Sequence, residues 1–428
     1  MRVLLVGSGG REHALAWALA RSPLLERLDA APGNPGIATL ARCHSVPVSD
    51  LEGMTRLAQE LAVDLVVVGP EAPLVSGLAN RLAEAGVGVF GPSAAAAQIE
   101  GSKAFAKSVM EAAGVPTARF TICDTVSAAH AAIAEADGNV VVKADGLAAG
   151  KGVVVCSSTA EAHAAVAAAL VDGRFGASGR RVLIEERLEG EELSLLALCD
   201  GEHVVPLAPA RDYKRVGDGD AGPNTGGMGS ISPVPGIDSD MVADIVARVH
   251  RPVVNELARR GSPYRGCLYA GLILTADGPK VIEFNARFGD PEAQVILPRT
   301  GGDLLALLAR SAGGTLAGCE VEPAEPACVS VVVASRGYPD APEVGDPIAG
   351  VDDAEEIEGV TVFHAGTAAR GDGVQTDGGR VLNVTAVGPD FATARRRAYL
   401  GVDAIRIAGA HHRSDIGLAA ENAEHVHV

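Results

Sequence analysis

Through its first 120 residues the chain alternates short apolar runs with helix-patterned stretches, and this alternation restricts the fold more than any other feature. Apolar runs at 2–6, 64–68 and 87–90 have strand length, while 12–20 and 75–85 have helical periodicity. Gly- and Pro-rich turns separate them, and this order builds a parallel sheet covered by helices. Ligands of such sheets gather at the carboxyl ends of the strands. Three loops stand there: GSGGREH (7–13), PGNPG (32–36) and GPEAPL (69–74). The first is not a dinucleotide fingerprint, because Glu12 fills the third glycine position and no acid ends the second strand. It suits a phosphate at a helix N-terminus, with Arg11 adding charge. A plain structural turn is the alternative.

A chain of 428 residues exceeds one core and predicts two to four domains. The net charge of −18 argues against a nucleic-acid duplex or an anionic membrane as main partner. A local basic pocket for a small anion remains compatible with it. The 7 cysteines are scattered without a C-x-x-C pair, which predicts reduced thiols in a cytoplasmic protein. No apolar run approaches the ~20 residues of a membrane span, and the N-terminus has no signal-peptide pattern.

Beyond residue 100 the pattern predicts a helix at 102–113, strands at 139–143 and 153–156, and a helix at 159–171. Strands at 181–186 and 193–198 follow, with a hairpin turn at Asp200-Gly201. Residues 211–235 show no periodicity and read as a long functional loop. A helix at 239–260, strands at 267–274 and 280–284, and a helix at 303–312 complete the central region. Strands at 327–334, 360–364 and 381–387 and a helix at 391–399 read as a separate small α+β unit.

Chemistry concentrates in VIEFNARFGDPE (281–292). Along a strand, Glu283, Asn285 and Arg287 share one face, and Ile282, Phe284 and Ala286 the other. A carboxylate beside an amide oxygen suits Mg²⁺, which takes one or two protein oxygens and the rest from phosphates and water. The guanidinium can grip the accompanying anion. A surface salt-bridge cluster is the alternative. The loop from Asp145 to Gly152 resembles a Walker A motif but has Asp145 for the first glycine and Gly152 for the Ser or Thr. Such a loop between two strands can instead fold over phosphates as a lid. Lys143 at a buried strand end and Lys103 at a helix start are costly unless they serve an anion; each alone could be a solvated lysine. After the strand at 182–184, Glu185 and its neighbours could pair with an adenine edge and hold ribose hydroxyls. His13, His364, His411 and His412 lack metal-ligand spacing, and no nucleophile elbow occurs.

In order along the chain stand GSGGREHALAWALA, APGNPG, VGPEAPL, FGPSAAAAQIEGSKAFAK, VVKADGLAAGKGV, DYKRVGDGDAGPNTGGMG, YAGLIL, VIEFNARFGDPE, VFHAGT and GGRVLNVTA. This set resembles the glycinamide ribonucleotide synthetases of the ATP-grasp superfamily, from residue 1 to about 417. The resemblance implies an N-terminal parallel-sheet α/β domain (1–102), a central ATP-grasp domain (103–313) with a mobile lid subdomain at about 117–187, and a C-terminal small α+β domain (314–428). It implies ATP-dependent joining of glycine to 5-phosphoribosylamine in purine biosynthesis, through glycyl phosphate, by a cytoplasmic monomer or weak dimer. Glu283 and Asn285 would be ligands of Mg²⁺ or Mn²⁺. Lys103 and Lys143 would hold phosphates, with Gly150, Lys151 and Gly152 in the lid. Glu185, Glu186 and Leu188 would form the adenine hinge, and Glu192 would take the ribose. Arg287 and Asp290 would lie at the reacting carboxylate, with Lys143 also catalytic. Gly9, Gly10, Arg11, Glu12, Asn34 and Glu71 would face phosphoribosylamine, and Asp212, Lys214, Asn224 and Gly227 would form a substrate loop. The sequence departs from the family pattern at Arg187, at Ser230-Ile231 and at Ala293. No acid lies in 267–274, which puts the protein contacts of a second metal in doubt.

Overall fold

The computed structural model describes residues 1–147 and 152–426. The N-terminal sheet is wholly parallel, in the order Arg42–Cys43, Arg27–Pro32, Arg2–Gly7, Leu65–Val68, Gly88–Phe90. Its central strands are buried on both faces, as continuous apolar runs such as LVVV require. The order reverses direction between Arg2–Gly7 and Leu65–Val68, so the crevice at that switch point faces loops 7–13 and 69–74. The helix expected at 75–85 is instead two, Glu71–Val75 and Leu78–Glu84, divided at Gly77 with φ +95°. Only a residue without Cβ enters that conformation cheaply.

The central region is an antiparallel sheet, Val204–Pro206, Glu191–Asp200, Arg265–Thr275, Gly278–Asn285. Its apolar face shares one core with the N-terminal sheet, joining Leu4, Val66 and Ile99 to Leu195, Leu268, Val281 and Phe284. A smaller antiparallel sheet, Phe120–Cys123, Val182–Glu186, Val140–Ala144, Val153–Val155, stands over it. Helices Val126–Glu135 and Thr159–Leu170 cover this sheet with a separate core of mostly small side chains. The small subdomain is therefore not fused to the body by the main core.

Strict alternation, expected along 281–287, fails at Ile282. Glu283 pairs with Gly271 while Val281 pairs with Leu272, so Ile282 is an extra residue in a bulge. The insertion resets the period, and Val281 and Phe284 both enter the core. Burying each stabilises by about 1.5–3 kcal/mol. Ile282 turns toward the cleft, and its carbonyl accepts a hydrogen bond from Lys143 Nζ at 2.8 Å.

Residues 211–235 are not irregular throughout, as expected, but carry Arg211–Asp212, Arg215–Gly217, Ala221–Asn224 and Gly229–Ser232. Strands of two to four residues are too short to display a period. Two of them belong to the C-terminal sheet, ordered Arg211–Asp212, Gly229–Ser232, Ala327–Ala334, Arg380–Gly388, Val360–His364. The tail keeps a core of its own, while its sheet is completed by two strands of the central segment. No helix among the described residues is long and apolar enough to cross a membrane.

Candidate active site

The bulged strand Gly278–Asn285 carries Glu283 and Asn285 into the cleft between the central sheet and the small subdomain. Burial opposes ionisation of Glu283, but Lys214, Lys143, Lys103 and Arg287 hold its carboxylate below the ordinary range. Each lysine has an acceptor elsewhere. Lys143 pairs with Glu185 at 3.0 Å, Lys214 with Glu192, and Lys103 Nζ donates to Gly146 O at 3.1 Å. Glu283 itself makes no hydrogen bond or ion pair among the described residues. A deeply set, ionised, uncommitted carboxylate beside the Asn285 amide oxygen fits a divalent ion that takes its remaining oxygens from a polyphosphate. Among the described residues no group of three His, Cys, Asp or Glu is gathered to hold an ion unaided.

Lys103 opens helix Lys103–Ala113, where the dipole disfavours a cation. Asp145 offsets this: its Oδ1 accepts from Ala104 N at 2.8 Å and Ser102 Oγ at 2.9 Å, and its carbonyl accepts from Lys103 N at 2.9 Å. The residue that spoils the Walker A pattern therefore caps a helix of the body. Gly152 pairs with Ala144 through its carbonyl at 2.8 Å. Gly150 and Lys151 lie outside the described residues. Glu185 turns inward, whereas Glu186 accepts from exposed Arg119 at 3.2 Å, and Leu188 is half-buried beyond it.

Across the cleft the charges close on one another. Arg287 binds Glu71 at 3.2 Å, Glu100 at 3.0 Å and Asn285 Oδ1 at 3.2 Å. Arg11 binds Glu12 Oε1 at 2.7 Å and Phe288 O at 2.9 Å. Glu71 is half-buried, and Arg287 and Arg11 hold it down at about 2. Burial pushes Glu100 up, with Arg287 pulling against it. Glu12 also accepts from Gly9 N at 2.6 Å and so caps helix Gly10–Leu19. Gly10 must lack a side chain: a Cβ there would stand 2.7 Å from both Asn383 Oδ1 and Gln294 Nε2. Asn34 spends its amide on Ser8 O, His364 O and Ile37 N, fixing loop 32–36.

Asp290 accepts from Gln294 Nε2 at 3.0 Å and faces Arg380 at 3.5 Å. Burial opposes its charge, and Arg380 and Arg11 outweigh burial, so its carboxyl sits below the usual range. Arg380 also donates to Asp290 O and Gly226 O, binding the 211–235 segment to this corner. Beside that corner, a Cβ on Gly227 (φ +109°) would strike Pro291 Cδ at 2.5 Å. Burial, together with Glu292, Glu192 and Glu283, raises Asp212 against the pull of Lys214. Glu292 accepts from Tyr269 OH at 2.6 Å. Asn224 is exposed in the outer hairpin, opposite Arg215.

Glu100, Lys107 and Arg380 escaped the sequence reading, and Asp145 and Glu292 were noted there without a role. Glu100 had a signal, as the only charge in the helix AAAAQIEG. Arg380 had none beyond its place in GGRVLNVTA.

Lysines on one lip of a two-sheet cleft, facing an acid and an amide on the other, define an ATP-grasp protein. Three family models match in order: the phosphoribosylglycinamide synthetase N domain over 1–100, its ATP-grasp (A) domain over 101–293, and its C domain over 328–419. A phosphoribosylamine–glycine ligase of Streptomyces coelicolor is 51% identical, covering 99% of this chain and 100% of its own length. That of Rhizobium meliloti is 50% identical, covering 98% and 99%. The crystal structure of the Thermotoga maritima phosphoribosylamine–glycine ligase superposes with TM-score 0.86 at 35% identity, covering 97% of this chain and 100% of that one. The biotin carboxylase domain of Hydrogenobacter thermophilus 2-oxoglutarate carboxylase shares the fold alone, with TM-score 0.70 at 20% identity, covering 96% and 91%. The chain belongs to the phosphoribosylglycinamide synthetase family.

Proposed function

We propose that this protein uses ATP to join glycine to 5-phosphoribosylamine, releasing ADP, phosphate and glycinamide ribonucleotide. A carboxylate is a poor electrophile, so glycine must first be activated. A glycine carboxylate oxygen attacks the terminal phosphorus of ATP, and the bond to the bridging oxygen breaks to leave ADP and glycyl phosphate. The amine of phosphoribosylamine then attacks the acyl carbon. The bond to phosphate breaks, and the amine loses a proton to become the amide.

Such chemistry asks for positioning and charge neutralisation rather than a protein nucleophile. When bound, a divalent ion (Mg²⁺ or Mn²⁺) supplies neutralisation of the phosphate chain, with Glu283 and Asn285 as its protein donors. Lys103 and Lys143 bind phosphates from the other side. Glu185, Glu186 and Leu188 border the adenine, and Glu192 the ribose. Arg287 and Asp290 lie at the glycine carboxylate. Gly9, Gly10, Arg11 and Glu71 face the phosphoribosylamine, and Asp212 and Lys214 line the approach from the substrate loop.

The observation that carries this reading is the uncommitted Glu283 carboxylate among three anchored lysines. The test is coupled ADP release with ATP, glycine and phosphoribosylamine, omitting each in turn. Stoichiometric ADP and amide that require all three are expected. Nucleotide binding without ADP release, or release with a different acid or amine, would overturn the proposal.

A further inference from the structure

Lys107 lies one turn beyond Lys103, 2% exposed, on a helix face otherwise made of Ala104, Ala106, Val109 and Met110. An ammonium is costly there unless its charge and its protons are all used. They are. Lys107 Nζ is 3.1 Å from Glu185 Oε2, 2.8 Å from Thr117 Oγ1 and 3.4 Å from Ala118 O. Thr117 in turn donates to Val281 O at 2.7 Å, next to the bulge.

These partners share a location. Residues 117–118 are where the chain leaves the body for the small subdomain, just ahead of Phe120–Cys123. Glu185 stands near the end of Val182–Glu186, where the chain returns. One buried ammonium thus ties both crossings together. From Glu185 the chain of contacts continues through Lys143 at 3.0 Å to Ile282 O at 2.8 Å, one residue before Glu283. The subdomain's own core does not merge with that of the body, so its orientation needs a pin of this kind. The second oxygen, Glu185 Oε1, is buried without a partner among the described residues, and Glu185 lines a cavity of about 40 Å³ with Lys103, Lys107, Ile282 and Glu283. A carboxylate held from one side with its other oxygen free can accept a donor from whatever enters.

We propose that Lys107 is a positioning residue that fixes the small subdomain, through Glu185, so that Lys143 faces Glu283 and Asn285. Its ammonium is engaged by Glu185, Thr117 and Ala118. The inference rests on the nucleotide cleft proposed above, and goes beyond it in assigning a residue outside the phosphate and metal sets.

The experiment compares the wild-type chain with Lys107→Met and Thr117→Val by steady-state kinetics and ADP binding, with circular dichroism as the check of folding. For Lys107→Met the expected result is a rise of about tenfold in KM for ATP and in the Kd for ADP. A severalfold fall in kcat should accompany it, with KM for glycine unchanged. Thr117→Val keeps the charges and cuts one tie, so it should shift KM for ATP about threefold in the same direction. A folded Lys107→Met with ATP constants within twofold of wild type overturns the proposal, as does an equal rise in KM for every substrate. Should Lys107→Met fail to fold, Thr117→Val decides alone, and an unchanged KM for ATP overturns the proposal. Wild-type protein that binds no ADP removes the cleft reading itself, an outcome distinct from these.

Discussion

The two sides of the cleft use their charges in opposite ways. Around Glu283, lysines from three segments are each anchored to another acceptor, and the carboxylate they surround is bonded to none of the described residues. Around Arg287, every ionised group grips another: Arg287 holds Glu71 and Glu100, and Arg11 holds Glu12. The first arrangement is incomplete without a ligand of mixed charge. The second is complete alone and preorganised, with donors fixed before substrate arrives. A carboxylate awaiting a ligand should contribute much to turnover and little to folding. A carboxylate inside a closed network should contribute to both.

The largest effect tests the open side. Glu283→Ala is expected to slow ADP release roughly 10³-fold or more, the scale of losing an electrostatic centre in a dry site, while the thermal midpoint barely moves. Near-normal turnover would remove the metal role, and a large fall in midpoint would show that the carboxylate belongs to the fold. Next comes Arg287→Met, which should reduce turnover about 100-fold and also destabilise by about 3–5 kcal/mol, because buried Glu100 and half-buried Glu71 lose their counterion. Urea midpoints of the two variants decide the contrast; equal stability would break it. Smaller again is Arg380→Ala, which frees Asp290 and Gly226 from the C-terminal sheet. A rise of about tenfold in KM for phosphoribosylamine, from roughly 1.4 kcal/mol of lost positioning, is expected with KM for ATP unchanged. A shift in ATP binding instead would place this corner on the nucleotide side.

The open side was largely legible in the sequence, because Glu283 and Asn285 are alternate positions of one motif. The closed side was less so, because its bonds join residues far apart. Arg287 meets Glu100 across 187 positions, and Arg380 meets Asp290 across 90. Glu100 stood out in a bland helix without saying what it paired with. Glu12 and Asn34, read as facing substrate, also serve the backbone: Glu12 accepts from Gly9 N, and Asn34 ties loop 32–36 to Ser8 and His364. Short polar side chains in Gly-rich loops serve the backbone as readily as a ligand, and sequence does not separate the two uses. The bulge at Ile282 was invisible because one extra residue leaves no mark on composition, yet it frees the carbonyl that Lys143 holds.

The smallest effect at neutral pH, and the one most specific to the closed side, comes from the histidines behind it. His13 Nδ1 accepts a hydrogen bond from His364 N at 2.8 Å, which requires the unprotonated ring. Burial, aided by His364, holds His13 down at about 3, and burial holds His364 at about 4. Both values lie below the ~6.5 of an unfolded histidine. On acidification the unfolded state therefore binds protons first. The stabilising contribution is full above about pH 6.5 and falls away as pH drops toward 4 and then 3. Between pH 7 and pH 5 the loss is about 2 kcal/mol for each ring. His13→Gln removes one of these titrations, so its urea midpoint should fall less steeply from pH 7 to pH 5 than that of the wild-type chain. Its KM for ATP at pH 7 should not move, since helix Gly10–Leu19 belongs to the substrate side. Identical pH slopes would mean that the ring is already charged in the folded protein, and the network would then owe its order to something other than this neutral contact.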